Sequence, residues 1–150
     1  MNDLFHKDFR EFIAALNDKQ VKYLLAGGYA VILHGYARTT GDLDIWVERT
    51  SSNYHRLKNA FEQFGMSVFE MTEENFLSHP VWEVFTFGEP PVAIDLMIKI
   101  KGLDFETCYS QSDLFEEGEF RIRTLDLKSL ILSKKATGRP KDLNDLENIG

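Results

Sequence analysis

The stretch LLAGGYAVILHGYARTTGDLDIWV, residues 24–47, decides how the chain is read. It opens on a short apolar run that ends in two adjacent glycines, Gly27 and Gly28, and closes on two aspartates one residue apart, Asp42 and Asp44. In DLDIWVE (42–48) polar and apolar residues alternate as on a half-buried strand, with Leu43, Ile45 and Val47 on one face. Side chains two apart on a strand share a face, so Asp42 and Asp44 are expected to point together, away from that apolar side. KYLLA (22–26) reads as a buried strand and residues 29–36 as a helix that is apolar on most sides. A Gly-Gly step between strand and helix lets the backbone turn and approach a ligand closely. The helix start then offers unpaired N–H groups to a phosphate. The alternative is a β-hairpin with Gly27-Gly28 as its turn.

A second strand supplies a third acid. In VAIDLMIKI (92–100), Val92, Ile94, Leu96, Ile98 and Ile100 share one face and Asp95 lies on the other. If the two strands are neighbours in one sheet, with their apolar faces on the core, Asp95 comes near Asp42 and Asp44. Carboxylates about 4 Å apart repel by about 4 kcal/mol per pair at an effective dielectric near 20. A divalent cation removes that cost, and Mg²⁺ is typically held by one or two carboxylates together with substrate phosphates. Two such ions can bridge the attacking and leaving oxygens of a phosphoryl transfer. The plainer alternative is solvated acids on the wet face of a strand, although strands disfavour Asp and like charges on one face destabilise.

Around this centre the chain reads as alternating helices and strands. Phe5, Phe9, Phe12, Ile13 and Leu16 repeat at helical spacing over 4–18. Tyr54, Leu57, Phe61 and Phe64 mark a helix over 52–64, with Ser51 or Ser52 as N-cap and Gly65 at its end. VWEVFTF (81–87) pairs with 92–100 as a hairpin through GEPP. EFRIR (119–123) is a strand, and EEGE (116–119) is a turn between two strands. Residues 126–136 form a helix that stops near Gly138. Pro140 starts a last helix, with Leu143, Leu146 and Ile149 on one stripe. The expected fold is α+β: a mixed sheet of about five strands packed against helices, in one domain over 1–150 whose part 125–149 is helical.

Composition narrows the class. The chain has 150 residues, 43% of them hydrophobic and 13% aromatic, as in a globular rather than a disordered protein. No apolar run approaches the ~20 residues that cross a bilayer. The opening MNDLFHKDFREF mixes acids and bases unlike a secretory signal. One cysteine, Cys108, forms no internal disulfide, so a cytoplasmic location is expected. The formal charge of −7 argues against general nucleic-acid coating, which needs Lys and Arg on phosphates. His6, His34, His55 and His79 share no zinc-like spacing with Cys108.

Gly27-Gly28, a spacer of thirteen residues and then DLDI (42–45) resembles the signature of the polymerase-β-like nucleotidyltransferase superfamily, with the spacer at its long end. SKKATGRPKDLNDLENI (133–149) resembles the C-terminal helices of small bacterial members, including those of toxin–antitoxin and abortive-infection systems. RTTGDLDI (38–45) is similar to that branch and to aminoglycoside nucleotidyltransferases. The resemblance implies a metal-dependent transferase that moves a nucleoside monophosphate from an NTP to a hydroxyl of a protein, RNA or small molecule. It implies that Asp42, Asp44 and Asp95 are both catalytic and metal-binding, with two Mg²⁺ ions, or Mn²⁺ in their place. Asp95 would orient or deprotonate the acceptor hydroxyl, and Gly27 and Gly28 would contact the β- and γ-phosphates.

Arg38 and Lys134 are further nucleotide-binding candidates. Arg38 matches phosphate oxygens or, alternatively, tethers its loop to an aspartate. Lys134 is where the resemblance suggests a nucleotide contact; the alternative is a cation near a helix C-terminus. Arg139 and Asp142 are expected to hold the last two helices together. Trp46 is expected to border the nucleotide site and Trp82 to be core. With no separate acceptor-binding domain evident, the acceptor is expected to dock across a homodimer or on a partner protein. The competing class is a catalytically silent nucleotide- or partner-binding module of the same fold.

Overall fold

The structure is a computed structural model and describes residues 4–149; the first three residues of the opening stretch read above lie outside the described part. In chain order the elements are α1 (Lys7–Asp18), β1 (Tyr23–Ala26), α2 (Gly27–Leu33), β2 (Leu43–Val47), α3 (Ser51–Phe64), α4 (Glu73–Ser78), β3 (Val84–Phe87), β4 (Ile94–Met97), α5 (Phe105–Ser110), β5 (Asp113–Glu117), β6 (Phe120–Thr124), α6 (Leu127–Thr137) and α7 (Pro140–Ile149). The six strands form one mixed sheet in the order β3-β4-β2-β1-β6-β5. β2 runs parallel to β4 and antiparallel to β1, and β1 pairs parallel with β6. The two hairpins β3–β4 and β5–β6 lie at the edges. The α+β expectation holds with a sixth strand, β5, whose largely exposed and acidic sequence carries no apolar alternation.

One sheet face is closed by helices. Register pairs Leu43 with Ile94 and Ile45 with Leu96, and Leu96 and Ile94 in turn with Phe85 and Phe87. These side chains share a face and are all buried. Phe87 meets Phe61 of α3 with ring centroids 4.8 Å apart, and Phe61 and Phe64 meet Phe12 of α1 edge-on. α1 and α3 therefore bury the aromatic stripes that their spacing displays. α3 is capped by the Thr50 hydroxyl, which accepts from Asn53 N, one residue before the serines expected in that role. It ends on Gly65 in the left-handed conformation.

Asn53 fastens this layer to the sheet. It is fully buried; its Oδ1 accepts from Lys22 N at 2.8 Å, and its Nδ2 donates to the carbonyls of Lys22 and Glu48 at 3.1 and 2.9 Å. One side chain thus ties the start of β1 and the end of β2 to α3.

The opposite face differs from expectation in three places. Trp46 is buried against Phe105 of α5, with ring centroids 5.1 Å apart, and does not line the cavity described below. Trp82 is 38% exposed and stacks on His79 at 4.0 Å rather than entering the core. In α7 the buried positions are Asp142 and Asp145; of the expected stripe Leu143 is exposed, Leu146 is half-buried and Ile149 is half-buried against the core, so this helix docks through charge as well as through the end of its apolar stripe. No helix among the described residues is long and apolar enough to cross a membrane.

Replacing Asn53 by Ala leaves the Lys22 main-chain N–H without its partner and takes one of two donors from each of the Lys22 and Glu48 carbonyls, which still accept from Glu48 N and Thr50 N. We expect a loss of about 2–3 kcal/mol, read as a lower urea midpoint at unchanged slope.

Candidate active site

Alternation and register together build a row of side chains across four strands. Ala26 pairs with Asp44, Asp44 with Asp95, and Asp95 with Thr86. Paired residues share a sheet face, and this face is the one turned away from α1 and α3. The Thr86 hydroxyl donates to Asp95 Oδ1 at 2.8 Å. Asp42 stands one residue before β2 and is exposed. The sequence brought Asp44 and Asp95 together correctly; Asp42 belongs to the approach loop and not to the strand.

Gly27 begins α2 directly from β1, two residues earlier than the helix expected from apolar content alone. Its φ of 63° suits glycine, and a Cβ there would collide with the Asp44 carboxylate. A Cβ on Gly28 would collide with the Thr40 side chain. The helical outcome removes the hairpin alternative. Ala26 precedes the helix and supplies no side-chain cap to its first N–H groups.

These residues open on a cavity of about 420 Å³. Gly27 and Gly28 form one wall and Asp42, Asp44 and Asp95 lie along the sheet, while Arg38, Lys134, Arg139 and Lys141 bring positive charge. Burial, then the Asp95 charge, and lastly Asp42 push the Asp44 carboxyl from 3.8 up to about 7, against partial relief from Lys141. Burial does most of this, and the neighbouring carboxylates add to it.

Among the described residues no three His, Cys, Asp or Glu side chains form a closed metal-ligand set. Asp44 and Asp95 make an adjacent pair, and Asp42 faces them from the loop. A pair of carboxylates completed by phosphate oxygens is the usual way Mg²⁺ is held. The raised Asp44 pKa and the space kept clear beside it by Gly27 fit a divalent cation.

The cations behind the cavity are already partnered. Lys134 is buried, with Nζ 2.8 Å from Asp145 Oδ2 and 3.5 Å from Asp142 Oδ1. Arg38 Nε lies 3.1 Å from Asp145 Oδ1. Neither Arg38 Nε nor Asp145 Oδ2 has a hydrogen-bond partner of good geometry, so these contacts are electrostatic. Arg139 Nε donates to Asp142 Oδ2 at 2.7 Å, and the Thr137 hydroxyl donates to the same oxygen at 2.6 Å. Burial alone would raise the Asp142 carboxyl; bonds from Arg139 and Thr137 and the nearby Lys134 charge hold it at about 2 instead. Arg38 is thus tethered to an aspartate while lining the cavity; Asp142 joins α7 to α6 through Lys134 and Thr137, as expected, whereas Arg139 pairs locally with Asp142 three residues on. Asp145 was missed in the sequence, although its spacing of three from Asp142 places both on one helix face. Thr86 was missed too, although it alternates with Phe85 and Phe87 on β3.

Three solved structures share this architecture. Lincosamide antibiotic adenylyltransferase LnuA, determined with lincomycin bound, matches with a TM-score of 0.61 at 16% identity, covering 97% of this chain and 96% of its own. ANT(2″)-Ia, in complex with adenylyl-2″-tobramycin, matches with a TM-score of 0.59 at 14% identity, over 94% of this chain and 84% of its own. A candidate nucleotidyltransferase from Thermotoga maritima matches with a TM-score of 0.57 at 13% identity, over 93% and 88%. The chain has the nucleotidyltransferase fold. No protein-family model and no curated protein matches its sequence. In this nucleotidyltransferase fold the carboxylate row, the glycine wall and the α6–α7 ion pairs surround one cavity.

Two consequences are measurable. Because the Asp44 pKa is raised by folding, its contribution is fully present below about pH 4 and is lost as pH rises through about 7. Asp44→Asn should therefore leave the melting temperature unchanged at pH 4 and raise it at pH 8, where the stabilisation is on the order of 3 kcal/mol. Lys134→Met leaves two buried carboxylates short of a cation and should cost roughly 3–5 kcal/mol in urea unfolding. Adding Asp145→Asn to it should restore part of that loss.

Proposed function

We propose that the protein transfers a nucleoside monophosphate from an NTP to a hydroxyl group of a small-molecule acceptor, releasing pyrophosphate. One observation carries this reading: Asp44 and Asp95 are adjacent register partners at the edge of a glycine-walled cavity lined by four basic side chains. The bound small molecules of LnuA and ANT(2″)-Ia support a small-molecule acceptor. We keep that reading in preference to a protein or RNA acceptor or a toxin–antitoxin partner.

Asp42, Asp44 and Asp95 would hold Mg²⁺, in two ions, or Mn²⁺. Bound there, the metal neutralises phosphate charge and makes the α-phosphorus more electrophilic. Gly27 and Gly28 give the phosphates close access to the main chain. Arg139 and Lys141 face them from the α6–α7 side, and Arg38 stands beside Gly28. The acceptor oxygen forms its bond to the α-phosphorus as the bond to the pyrophosphate oxygen breaks. The hydroxyl proton passes to Asp95, which Thr86 orients. Most of the rate comes from holding the groups in line and from charge already in place.

Calorimetry with ATP, GTP, CTP and UTP should show binding that requires Mg²⁺ or Mn²⁺ and disappears in Asp44→Asn. With α-labelled nucleotide and a panel of small hydroxyl compounds, label should move to an acceptor, and Asp95→Asn should slow the transfer by about 100-fold or more. Tight metal-dependent binding with no transfer to any acceptor would instead mark a silent nucleotide-binding module.

A further inference from the structure

A second cavity of about 420 Å³ runs along the open edge of β3, between that strand and the turn at residues 68–71. Most of its lining residues are apolar, including Phe69, Met71, Trp82 and Val84, nearly half of the lining surface is polar, and Glu70 is its one charged side chain. Three of these are large apolar side chains left in contact with solvent: Phe69 is 67% exposed, Val84 46% and Trp82 38%. Phe69 also has a φ of 49°, a backbone conformation that a bulky residue adopts at a cost. The chain therefore holds an aromatic ring out at the groove where burial does not repay the strain.

The groove is continuous with the carboxylate cavity. Val84 lines both. Thr86 lines the groove and donates its hydroxyl to Asp95. The strand edge adds polar anchor points. Ile98 N donates to the Glu83 carbonyl at 2.9 Å, and the β3–β4 register continues from that pair. In an antiparallel ladder the hydrogen-bonded pairs alternate, so the main-chain N–H and C=O groups of Val84 and Thr86 point outward into the groove. A pocket that sets apolar side chains beside a few convergent polar groups is the usual form of a small-molecule site.

We propose that this groove is the acceptor subsite and that it takes an uncharged alcohol with an apolar body. The inference rests on the transfer reading above and specifies its acceptor. The apolar body packs on Phe69, Trp82 and Val84, and the hydroxyl reaches past Thr86 to Asp95. A polycationic amino sugar is disfavoured, since one carboxylate, Glu70, is all the groove offers its ammonium groups.

The test is chemical-shift mapping on ¹⁵N-labelled protein with 4-phenylbutanol and 2-cyclohexylethanol as neutral probes and tobramycin as the polycationic probe, each with and without Mg·ATP. The neutral alcohols should shift the amides of Phe69, Val84 and Thr86 and the Trp82 indole, and should bind together with Mg·ATP. Phe69→Ser and, separately, Val84→Gln should each weaken them about tenfold, with the spectrum elsewhere unchanged as evidence that the fold is intact. Absence of these shifts, displacement of Mg·ATP by the alcohols, or tobramycin binding there in their place overturns the proposal. Mg·ATP binding without alcohol binding defeats the groove alone. Alcohol binding in the groove without nucleotide binding defeats the transfer reading and leaves the groove as a small-molecule site.

Discussion

Two carboxylates are held side by side because the residues behind them have nowhere else to go. Leu43 and Ile45 flank Asp44, Ile94 and Leu96 flank Asp95, and all four apolar side chains are at most 1% exposed on the far face of the sheet. Burying each contributes about 1.5–3 kcal/mol, so together they outweigh the repulsion of one carboxylate pair. Strand alternation converts that burial into the position of the acids. A shift of one residue in either strand would turn its two apolar side chains to the open face and its acid into the helix layer. The acids are therefore placed by the core, before any ligand arrives.

What could be read from the sequence follows from where periodicity is strong. The alternation in 42–48 and 92–100 and the aromatic stripes of α1 and α3 gave the central strands, the main helices and the Asp44–Asp95 neighbourhood. Where elements are short or carry their role in polar residues, the pattern is silent. α4 and α5 span six residues each and have no room for a stripe. β5 is acidic and largely exposed, and takes its shape from pairing with β6. In α7 Lys134 and Arg38 draw the two aspartates inward and leave Leu143 exposed, while Ile149 at the end of the apolar stripe still packs on the core. Tertiary packing likewise reversed the two tryptophans: α5 covers Trp46, and no element covers Trp82 completely.

The identities of 13–16% with structures of the same architecture fit this division. An apolar alternation can be written in many residues, and a sheet of given order needs little more. Along the β3 edge and at the α6–α7 junction, single side chains choose between burial and exposure, and the pattern decides less there.

The ion pairs of α7 have one more consequence. Four basic and three acidic side chains line the carboxylate cavity, and the buried Asp142 and Asp145 engage three of the four bases from behind. The chamber is thus close to electroneutral, and its long-range pull on a bare polyanion is weak. A triphosphate that travels with its own counter-ion is a better electrical match than the same molecule without one. That charge balance is set in the last helix, by Asp142 and Asp145.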